Sequence, residues 1–332
     1  MKLTVLGAGC WGLTIANLEH NNFDEVYVWG RSQDLPESLI KEKKISKPLQ
    51  IELDKKINIT SNLKEAVSDA DIILLVVSTG GIRPVCEQLK EIGLKENQIL
   101  VNLAKGIELP SLKRMSEVIL EVLPNVKFAT LSGPTLAREI IEGHPTLATI
   151  ASLDEEIAKQ VQKALNVPSL FRLYANTDLI GVELGGSLKN VIAIASGFAS
   201  AMNLGDNLRG SLLTRGMAEM VRVGVALGAK PATLYGLSGM GDLIATALSP
   251  YSRNYTVGAM IAKGKKIDDI LAELGSVAEG VKTSKALCEL AKKLNIEVPV
   301  SNAIYEAVYT DITPQEVLSK LMNRKLKGED IY

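Results

Sequence analysis

The chain has 332 residues, of which 46% are hydrophobic; this length is typical of about two globular domains, and the composition excludes extended disorder. Lys and Arg total 37 and Asp and Glu total 38, so the net charge is −1. This balance excludes the positive field that nucleic acid or an anionic membrane would require. The 3 cysteines have no C-x-x-C spacing, and there are only 2 histidines. We therefore expect a reducing compartment, no metal site, no nucleic-acid partner and no stable membrane insertion.

The apolar N-terminus LTVLGAGCWGLTIAN, at residues 3–17, has two possible interpretations. A secretory signal needs an uninterrupted apolar core, whereas Gly7, Gly9 and Gly12 interrupt this stretch in the order G-x-G-x-x-G. The second interpretation is a buried strand, a tight turn and a helix. The first glycine then makes the turn, the second lets the backbone approach a pyrophosphate, and the third lets the helix pack on the strand. We therefore predict a dinucleotide site and a cytoplasmic protein.

The first half of the chain alternates short apolar runs with amphipathic segments. Such alternation predicts βαβ units and a parallel sheet with helices on both faces. From about residue 178 the pattern becomes helical, beginning with one long apolar stretch over 179–204. The predicted fold class is α/β followed by all-α, with a Rossmann-like, doubly wound parallel sheet over 1–177 and an all-helical C-terminal domain over 178–332. The predicted strands occupy 2–7, 25–30, 71–78, 98–106 and 126–133.

The second predicted strand ends in VYVWGRSQD, where dinucleotide folds that prefer NAD place an acidic residue for the ribose hydroxyls. Arg31 and Ser32 occupy this place instead. A guanidinium here would accommodate a 2′-phosphate. NADPH is therefore favoured as the cofactor, and NADH stays open. Alternatively, Arg31 is a solvated side chain that stacks on the adenine.

Lys189 is conspicuous because the predicted helix around it, LIGVELGGSLKNVIAIASG, has no other charge than Glu183. Gly185 and Gly186 lie one turn earlier on the same helix face, which would leave that face bare for a ligand. Desolvation would lower the pKa of the lysine towards the range useful in acid–base catalysis, while a carboxylate partner would keep it charged. The alternative is a structural lysine that pairs with Glu183 or reaches the surface.

Two polar segments follow predicted strands of the first domain. Lys105 ends the strand at 98–106, and we expect its side chain in the ligand crevice because the carboxyl ends of parallel strands face it. An exposed lysine is the alternative. The segment LSGPTLARE, at 131–139, places Gly133 and Thr135 between a strand and a helix. It suits either helix capping by Thr135 or ligand contact through backbone amides.

In the helical half, LSGMGDLIAT and SPYSRNYTVG bring Asp242, Thr246, Arg253 and Asn254 close together in sequence. Arginine offers a bidentate fork for a phosphate dianion, and asparagine and threonine offer neutral donors. A carboxylate does not suit a phosphate, so we expect Asp242 to orient and charge a lysine. Alternatively, the two segments are capped helices joined by a turn.

Taken in chain order, these segments resemble the NAD(P)-dependent sn-glycerol-3-phosphate dehydrogenase family of bacterial type. The resemblance runs almost end to end and includes the GxLKN element that separates this family from related two-domain dehydrogenases. It departs from the family at VVSTGGIR, where Val77, Gly80 and Gly81 replace the usual Pro-Ser surroundings and leave the shape of that loop open. The shared motifs are GAGCWG, NLAKGIE, LSGPTLARE, VELGGSLKNVIAIASG, GLSGMGDLIAT, SRNYTVG and VAEGVKT.

The resemblance implies that Lys189 donates a proton when dihydroxyacetone phosphate is reduced and accepts it in the reverse direction. It implies that Asp242 partners this lysine and that Lys105 touches both substrate and cofactor. It further implies a phosphorylated triose substrate, a homodimer and a product that supplies glycerophospholipid synthesis. With the residues singled out above, the predicted substrate contacts are Lys105, Gly133, Thr135, Lys189, Asn190, Asp242, Thr246, Ser252, Arg253 and Asn254. The predicted cofactor contacts are Gly7, Gly9, Cys10, Trp11, Gly12, Arg31, Lys105, Ala137, Arg253, Val277 and Glu279.

Two other functions stay open on the residues alone. Another β-hydroxyacid-type dehydrogenase or a ketopantoate-like reductase would take a carboxylate substrate and would not need a phosphate pocket built from Arg253 and Asn254. A nucleotide-sensing regulatory module would not need Lys105, Lys189 and Asp242 together.

Overall fold

The computed structural model describes residues 1–275, 278–326 and 328–329. Contacts within the chain divide it into two compact units. Unit 1 consists of residues 1–104 and 115–179, and unit 2 consists of 105–114 and the described residues from 180 onwards. Unit 2 thus includes a short segment that falls inside the predicted domain 1–177.

Unit 1 is built on one eight-stranded sheet. Two further short strands pair with each other in a separate sheet. The strands are β1 (Lys2–Leu6), β2 (Glu25–Trp29), β3 (Lys44–Ile45), β4 (Ile51–Glu52), β5 (Ile57–Thr60), β6 (Ile72–Leu75), β7 (Ile99–Asn102), β8 (Lys127–Ser132), β9 (Thr146–Ala151) and β10 (Phe171–Asn176). The large sheet has the order β5-β2-β1-β6-β7-β8-β9-β10 and is parallel except between β8 and β9. β1 lies between β2 and β6, which makes the end of β1 the switch point where doubly wound sheets bind ligands.

Each helix of unit 1 buries at least one apolar side chain. The helices are α1 (Cys10–Glu19), α2 (Glu37–Glu42), α3 (Leu63–Val67), α4 (Thr79–Ile92), α5 (Met115–Val122), α6 (Ala137–Ile141) and α7 (Glu155–Leu165). In α4 the buried residues Ile82, Val85, Cys86 and Leu89 recur at helical spacing, as expected for a helix packed on a sheet. The side chains of Asn62 and Asp154 cap α3 and α7. The unit thus has the α/β architecture that the sequence predicts.

All five predicted strands form, and the structure has five more that were not predicted: the short pair β3 and β4, and β5, β9 and β10 of the large sheet. β5 and β10 are the two edges of the large sheet. Because an edge strand is only partly covered, it lacks the continuous apolar run of a strand buried on both faces. β10, for example, alternates buried Phe171 and Leu173 with exposed Arg172 and Tyr174.

The strand predicted over 98–106 ends at Asn102, and Lys105 is therefore not a strand residue. The Asn102 amide nitrogen donates to the carbonyl oxygen of Ala104 at 3.0 Å, and its amide oxygen accepts from the Ala104 N–H at 3.1 Å. An asparagine that bonds the backbone two residues on turns the chain out of a sheet.

Unit 2 is helical across its described residues from 180 onwards, as the sequence predicts. Its helices are α8 (Leu179–Ala201), α9 (Gly205–Ala226), α10 (Pro231–Leu234), α11 (Asp242–Leu248), α12 (Arg253–Ile261), α13 (Ile267–Leu274), α14 (Glu279–Leu294), α15 (Pro299–Tyr309) and α16 (Pro314–Met322). A π-helical turn at Leu237–Gly241 leads into α11. The core forms around α8, which is buried along nearly its whole length.

Helix α8 is the one helix of the described residues that is long and apolar enough to cross a membrane, with a mean hydropathy of 1.3. Its apolar window is 94% buried inside the protein. Burial of this extent is the property of a core helix.

The segment 105–114 belongs to unit 2 because its apolar side chains pack there. Ile107 and Leu112 are buried in the core that surrounds α8. A β-bridge between Ile107 and Arg114 closes the segment on itself. The segment therefore carries Lys105 into unit 2.

Candidate active site

The glycine loop of unit 1 joins β1 to α1 at the switch point of the sheet. Gly7 has φ +132°, and a Cβ there would lie 2.7 Å from the carbonyl oxygen of Val76. A Cβ on Gly12 would lie 1.8 Å from the carbonyl oxygen of Gly7, whereas one on Gly9 would meet no atom within 4 Å. Gly7 and Gly12 thus allow the tight packing, and Gly9 leaves space beside the N-terminus of α1. Helix N-terminal amides facing such a space suit a pyrophosphate. Cys10 and Trp11 form the start of this helix.

Arg31 lies just after β2, where the sequence places it, but it has a carboxylate partner. Its Nε donates to Asp34 Oδ2 at 2.6 Å and its Nη2 to Asp34 Oδ1 at 3.1 Å. Both side chains are largely solvent-accessible. A 2′-phosphate at this position would compete with Asp34 for the guanidinium. Sequence reasoning missed Asp34, although its spacing of three residues from Arg31 is a detectable signal.

Gly133 and Thr135 follow β8 in unit 1. Gly133 has φ +145°, and a Cβ there would lie 2.9 Å from Ala148 Cα on β9. Thr135 Oγ1 donates to the Gly133 carbonyl oxygen at 3.2 Å. The cap residue of α6 is Leu136, without a side-chain cap hydrogen bond, and Ala137 is the first helical residue. The cap position of α6 is thus Leu136 and not Thr135.

The predicted lysines and Asp242 form one buried ion cluster within unit 2. Lys189 Nζ lies 2.8 Å from Asp242 Oδ1, and Lys105 Nζ lies 2.7 Å from Asp242 Oδ2. Lys189 also donates to Thr246 Oγ1, which in turn donates to Asp242 Oδ1 at 3.1 Å. Lys189 and Asp242 are buried, and 18% of the Lys105 side chain is exposed. One carboxylate thus holds two ammonium groups side by side.

Close packing of backbone on backbone brings Asp242 to Lys189. A Cβ on Gly185 would lie 2.7 Å from the Ser238 carbonyl oxygen, so the π-helical turn rests directly on α8. A Cβ on Gly239 would lie 1.9 Å from the Leu234 carbonyl oxygen, which explains a glycine inside this turn. The helix face at Gly185 is therefore covered by protein, and the prediction of a bare face open to ligand is wrong there.

The cluster changes the acid–base properties of both buried groups. Burial lowers the pKa of Lys189 to about 8; Lys105 lowers it as a like charge, and Asp242 opposes the decrease. For Asp242, burial raises the pKa, but the two ammonium groups outweigh burial and hold the pKa below its usual value. Asp242 is therefore ionised at neutral pH, and Lys189 is close to the pKa that suits a general acid.

Glu183, the other charge on α8, does not pair with Lys189, and Lys189 does not reach the surface, so neither form of the structural alternative holds. Glu183 Oε2 accepts from Arg114 Nη1 at 2.8 Å. Ser187 Oγ donates to the Gly106 carbonyl oxygen at 3.3 Å. These contacts hold the segment 105–114 against α8, which places Lys105 beside Asp242. Sequence reasoning missed Arg114, since its sequence surroundings give no signal.

A second polar group lies one residue beyond Lys189. Asn254 Nδ2 donates to Asn190 Oδ1 at 2.9 Å, and Asn254 Oδ1 accepts from the Gly280 N–H at 3.0 Å. A Cβ on Gly258 would lie 1.9 Å from the Ile194 carbonyl oxygen, so α12 and α8 pack closely enough for the two amides to meet. The two asparagines are buried with each other as partners.

The residues beside Asn254 start α12. Ser252 is the cap residue, and its Oγ accepts from the Tyr255 N–H at 3.3 Å. Arg253 is exposed, and its side chain makes no hydrogen bond or ion pair with the residues that the structure describes. The capped-helix interpretation is thus correct for α12, and the same local structure presents a guanidinium that can accept an anion.

The remaining residues singled out in the sequence are two predicted cofactor contacts in the C-terminal half and the loop around Val77. Glu279 is the first residue of α14, and Val277 lies outside the described residues. Gly80 and Gly81 form the first turn of α4, directly after the stretch that contains Val77. Across the described ranges, no group of three His, Cys, Asp or Glu side chains could hold a metal ion.

Comparison with known proteins finds similarity over the whole chain. Residues 2–158 match the N-terminal domain of NAD-dependent glycerol-3-phosphate dehydrogenase, and residues 178–319 match its C-terminal domain. The glycerol-3-phosphate dehydrogenase (NAD(P)+) of Thermoanaerobacter sp. is 43% identical over 329 residues, 99% of each chain. That of Syntrophotalea carbinolica is 44% identical over 333 residues, again 99% of each chain.

A solved structure agrees with these sequence similarities. The crystal structure of glycerol-3-phosphate dehydrogenase from Coxiella burnetii has a TM-score of 0.90 and 30% identity, and the match covers 97% of this chain and 99% of that one. On the two domain matches and the full-length relatives, the chain belongs to the NAD-dependent glycerol-3-phosphate dehydrogenase family.

Proposed function

We propose that the chain reduces dihydroxyacetone phosphate to sn-glycerol 3-phosphate with NAD(P)H, and that Lys189 is the proton donor. The observation that carries the assignment is the buried ammonium of Lys189, which has a pKa of about 8 and lies between Asp242 and Thr246. A general acid works best when its pKa is near the working pH. Membership in the family favours a phosphorylated triose over the carboxylate substrates of related reductases.

The reaction needs a proton and positive charge at the ketone oxygen. Lys189 Nζ donates the proton to this oxygen as negative charge develops there, and Lys105 adds a second positive charge beside it. Asp242 fixes the positions of both ammonium groups through its two oxygens. In the reverse direction, neutral Lys189 accepts the proton from the alcohol.

The phosphate of the substrate is assigned to the start of α12. Arg253 offers an exposed guanidinium, and Asn254 and Asn190 offer amide groups nearby on adjoining elements. Arginine binds a phosphate through two parallel hydrogen bonds. Ser252, Thr246, Gly133 and Thr135 remain proposed substrate contacts on the family resemblance.

The cofactor is assigned to unit 1, where the residues fit it. The space at Gly9 and the N-terminus of α1 would hold the pyrophosphate, and Arg31 would hold the adenosine end. When bound, NAD(P)H supplies the hydride for the reduction. NADPH stays favoured through Arg31, but the Asp34 carboxylate that engages this guanidinium supports use of NADH as well. Ala137, Glu279 and Val277 remain proposed contacts.

The proposed biological setting rests on the family resemblance. We assign the protein to the cytoplasm, to glycerophospholipid supply and to a homodimer. The 3 cysteines, which have no C-x-x-C spacing, are consistent with a reducing compartment.

The test is oxidation of NADPH and of NADH by the purified protein on addition of dihydroxyacetone phosphate. Lys189→Ala should lower turnover about 10²-fold or more, the usual effect of losing a positioned acid, with cofactor affinity unchanged. Lys292→Ala, an exposed lysine on α14, is the matched control and should keep full activity. Undiminished turnover in Lys189→Ala would overturn the assignment of the acid, and no turnover in the parent protein would overturn the substrate.

A further inference from the structure

Unit 2 contains a cavity of about 800 Å³ that takes no part in the proposed reaction. Side chains from α8, α9, α15 and α16 line it, and Lys105, Lys189 and Asp242 do not. Its volume lies in the range of about 300–1,000 Å³ that small-molecule sites occupy. The apolar part of its lining includes Phe198, Leu208, Leu212, Val300, Ile304 and Leu321.

The charged lining of the cavity is positive on balance. Among the residues that the structure describes, it consists of four basic residues, Arg215, Arg222, Arg324 and Lys325, and two acidic ones, Glu297 and Glu329. Arg324 pairs with Glu297 at 3.0 Å, and Arg222 donates to the Glu297 carbonyl oxygen at 3.2 Å. These contacts occupy one carboxylate of the lining and leave the basic excess in place.

Arg215 is the informative member of this group. Its side chain is half-buried, and within the described ranges it makes no hydrogen bond or ion pair. It follows Leu208 and Leu212 on one face of α9, because residues three and four apart share a helix face. A guanidinium that is partly withdrawn from water into an apolar cavity gains from an anionic partner.

An apolar cavity with a guanidinium that engages no partner among the described residues is complementary to a long apolar chain that ends in a single anion. We propose that this cavity binds a long-chain fatty acid, with the carboxylate on Arg215 and the chain among the leucines of α9 and the apolar side chains of α15 and α16. The proposal is independent of the dehydrogenase assignment. Failure of one leaves the other standing, since turnover and fatty-acid binding are measured separately.

The test is isothermal titration of the full chain with dodecanoate, kept below its micellar concentration. Dodecanoate should bind with one site per chain, and its Kd should fall about three- to fourfold per methylene from octanoate to dodecanoate. Dodecanol, which lacks the charge, should bind about tenfold or more weakly. Arg215→Gln should weaken the binding of dodecanoate by the same factor and leave the affinity for dodecanol unchanged. Arg209→Gln, on the same helix but outside the lining, is the matched control.

Three results would overturn the proposal. The first is absence of dodecanoate binding, and the second is equal affinity for dodecanoate in Arg215→Gln and in the parent. The third is a dimer in sedimentation that Leu212→Glu converts to a monomer, because a second copy of the chain would then cover the cavity. Dehydrogenase turnover, measured on the same samples, should be intact in Arg215→Gln.

Discussion

Removing the carboxylate of Asp242 should lower the pKa of Lys189. Asp242 is the group that opposes burial and the repulsion from Lys105 at this ammonium, and its oxygen lies 2.8 Å from the amine. Asp242→Asn keeps the size of the side chain and removes its charge. A smaller fraction of Lys189 is then protonated at neutral pH, so less of the enzyme can donate a proton.

The size of the shift follows from the geometry. Two unit charges about 4 Å apart interact by about 4 kcal/mol at an effective dielectric constant of about 20, which corresponds to about three pKa units. The carboxylate charge is shared between two oxygens, and Lys105 engages one of them at 2.7 Å. We therefore expect a decrease of about one to two units.

The assay is the pH dependence of kcat/KM for ketone reduction, which reports the pKa of the acid in the free enzyme. The parent should lose activity as the pH rises through about 8, and Asp242→Asn should lose it at lower pH. Lys105→Gln should move this loss of activity to higher pH, because it removes a positive charge next to the Lys189 ammonium. Thr246→Val removes an uncharged side chain that hydrogen-bonds to both Lys189 and Asp242, and it should shift the pH dependence less than either charge variant does. The reasoning would be refuted if kcat/KM fell at the same pH in the parent and in both charge variants, or if it fell at a higher pH in Asp242→Asn than in the parent.

Three further predictions concern other parts of the molecule. Asp34→Asn releases Arg31 and should raise the ratio of kcat/KM with NADPH to that with NADH, whereas Arg31→Ala should lower it; an unchanged ratio in both variants would show that the pair does not contact the cofactor. Burial raises the pKa of Glu219 to about 7 from 4.5, against hydrogen bonds from Ser301 and the adjacent backbone. The folded state thus favours the neutral carboxyl, and its stabilisation is present below about pH 4.5 and lost as the pH rises to about 7. As the pH rises from about 4.5 to about 7, the thermal unfolding midpoint of the parent should therefore fall more than that of Glu219→Gln. The same pH dependence of the midpoint in both proteins would contradict a raised pKa of Glu219. Gly185→Val places a Cβ 2.7 Å from a carbonyl oxygen of the π-helical turn and should lower kcat at least about tenfold by moving the ion cluster, with the Kd for NADPH unchanged; full activity would show that the turn can shift freely.

The limits of sequence reasoning follow from the distance over which each signal acts. The glycine loop is recognisable because its geometry depends on residues a few positions apart. The cluster of Lys189 and Asp242 is predictable in composition, since a lone charge on an apolar helix requires a partner. Lys105, the third member of the cluster, could be named from the sequence. Its position could not be predicted from the end of a strand, because β7 ends at Asn102 and the turn made by Asn102 carries the chain out of the sheet before Lys105.

Contacts made over long sequence distances were not predictable. Arg114 reaches Glu183 across 69 residues, and nothing in the local pattern of either residue indicates the other. The edge strand β10 was missed for a different reason, since half of its side chains face solvent and its pattern resembles a loop.

The assignment of residues 105–114 to unit 2 has a consequence for dissection of the chain. The polypeptide passes from one unit to the other three times, after residues 104, 114 and 179. A fragment cut at the predicted boundary would lack Ile107 and Leu112 from its core and would leave the buried Glu183 without Arg114. A buried carboxylate without its partner is strongly destabilising. The helical unit is therefore separable only as a rearranged chain in which 105–114 is joined to the segment from 180 onwards, and such a chain would carry the complete ion cluster.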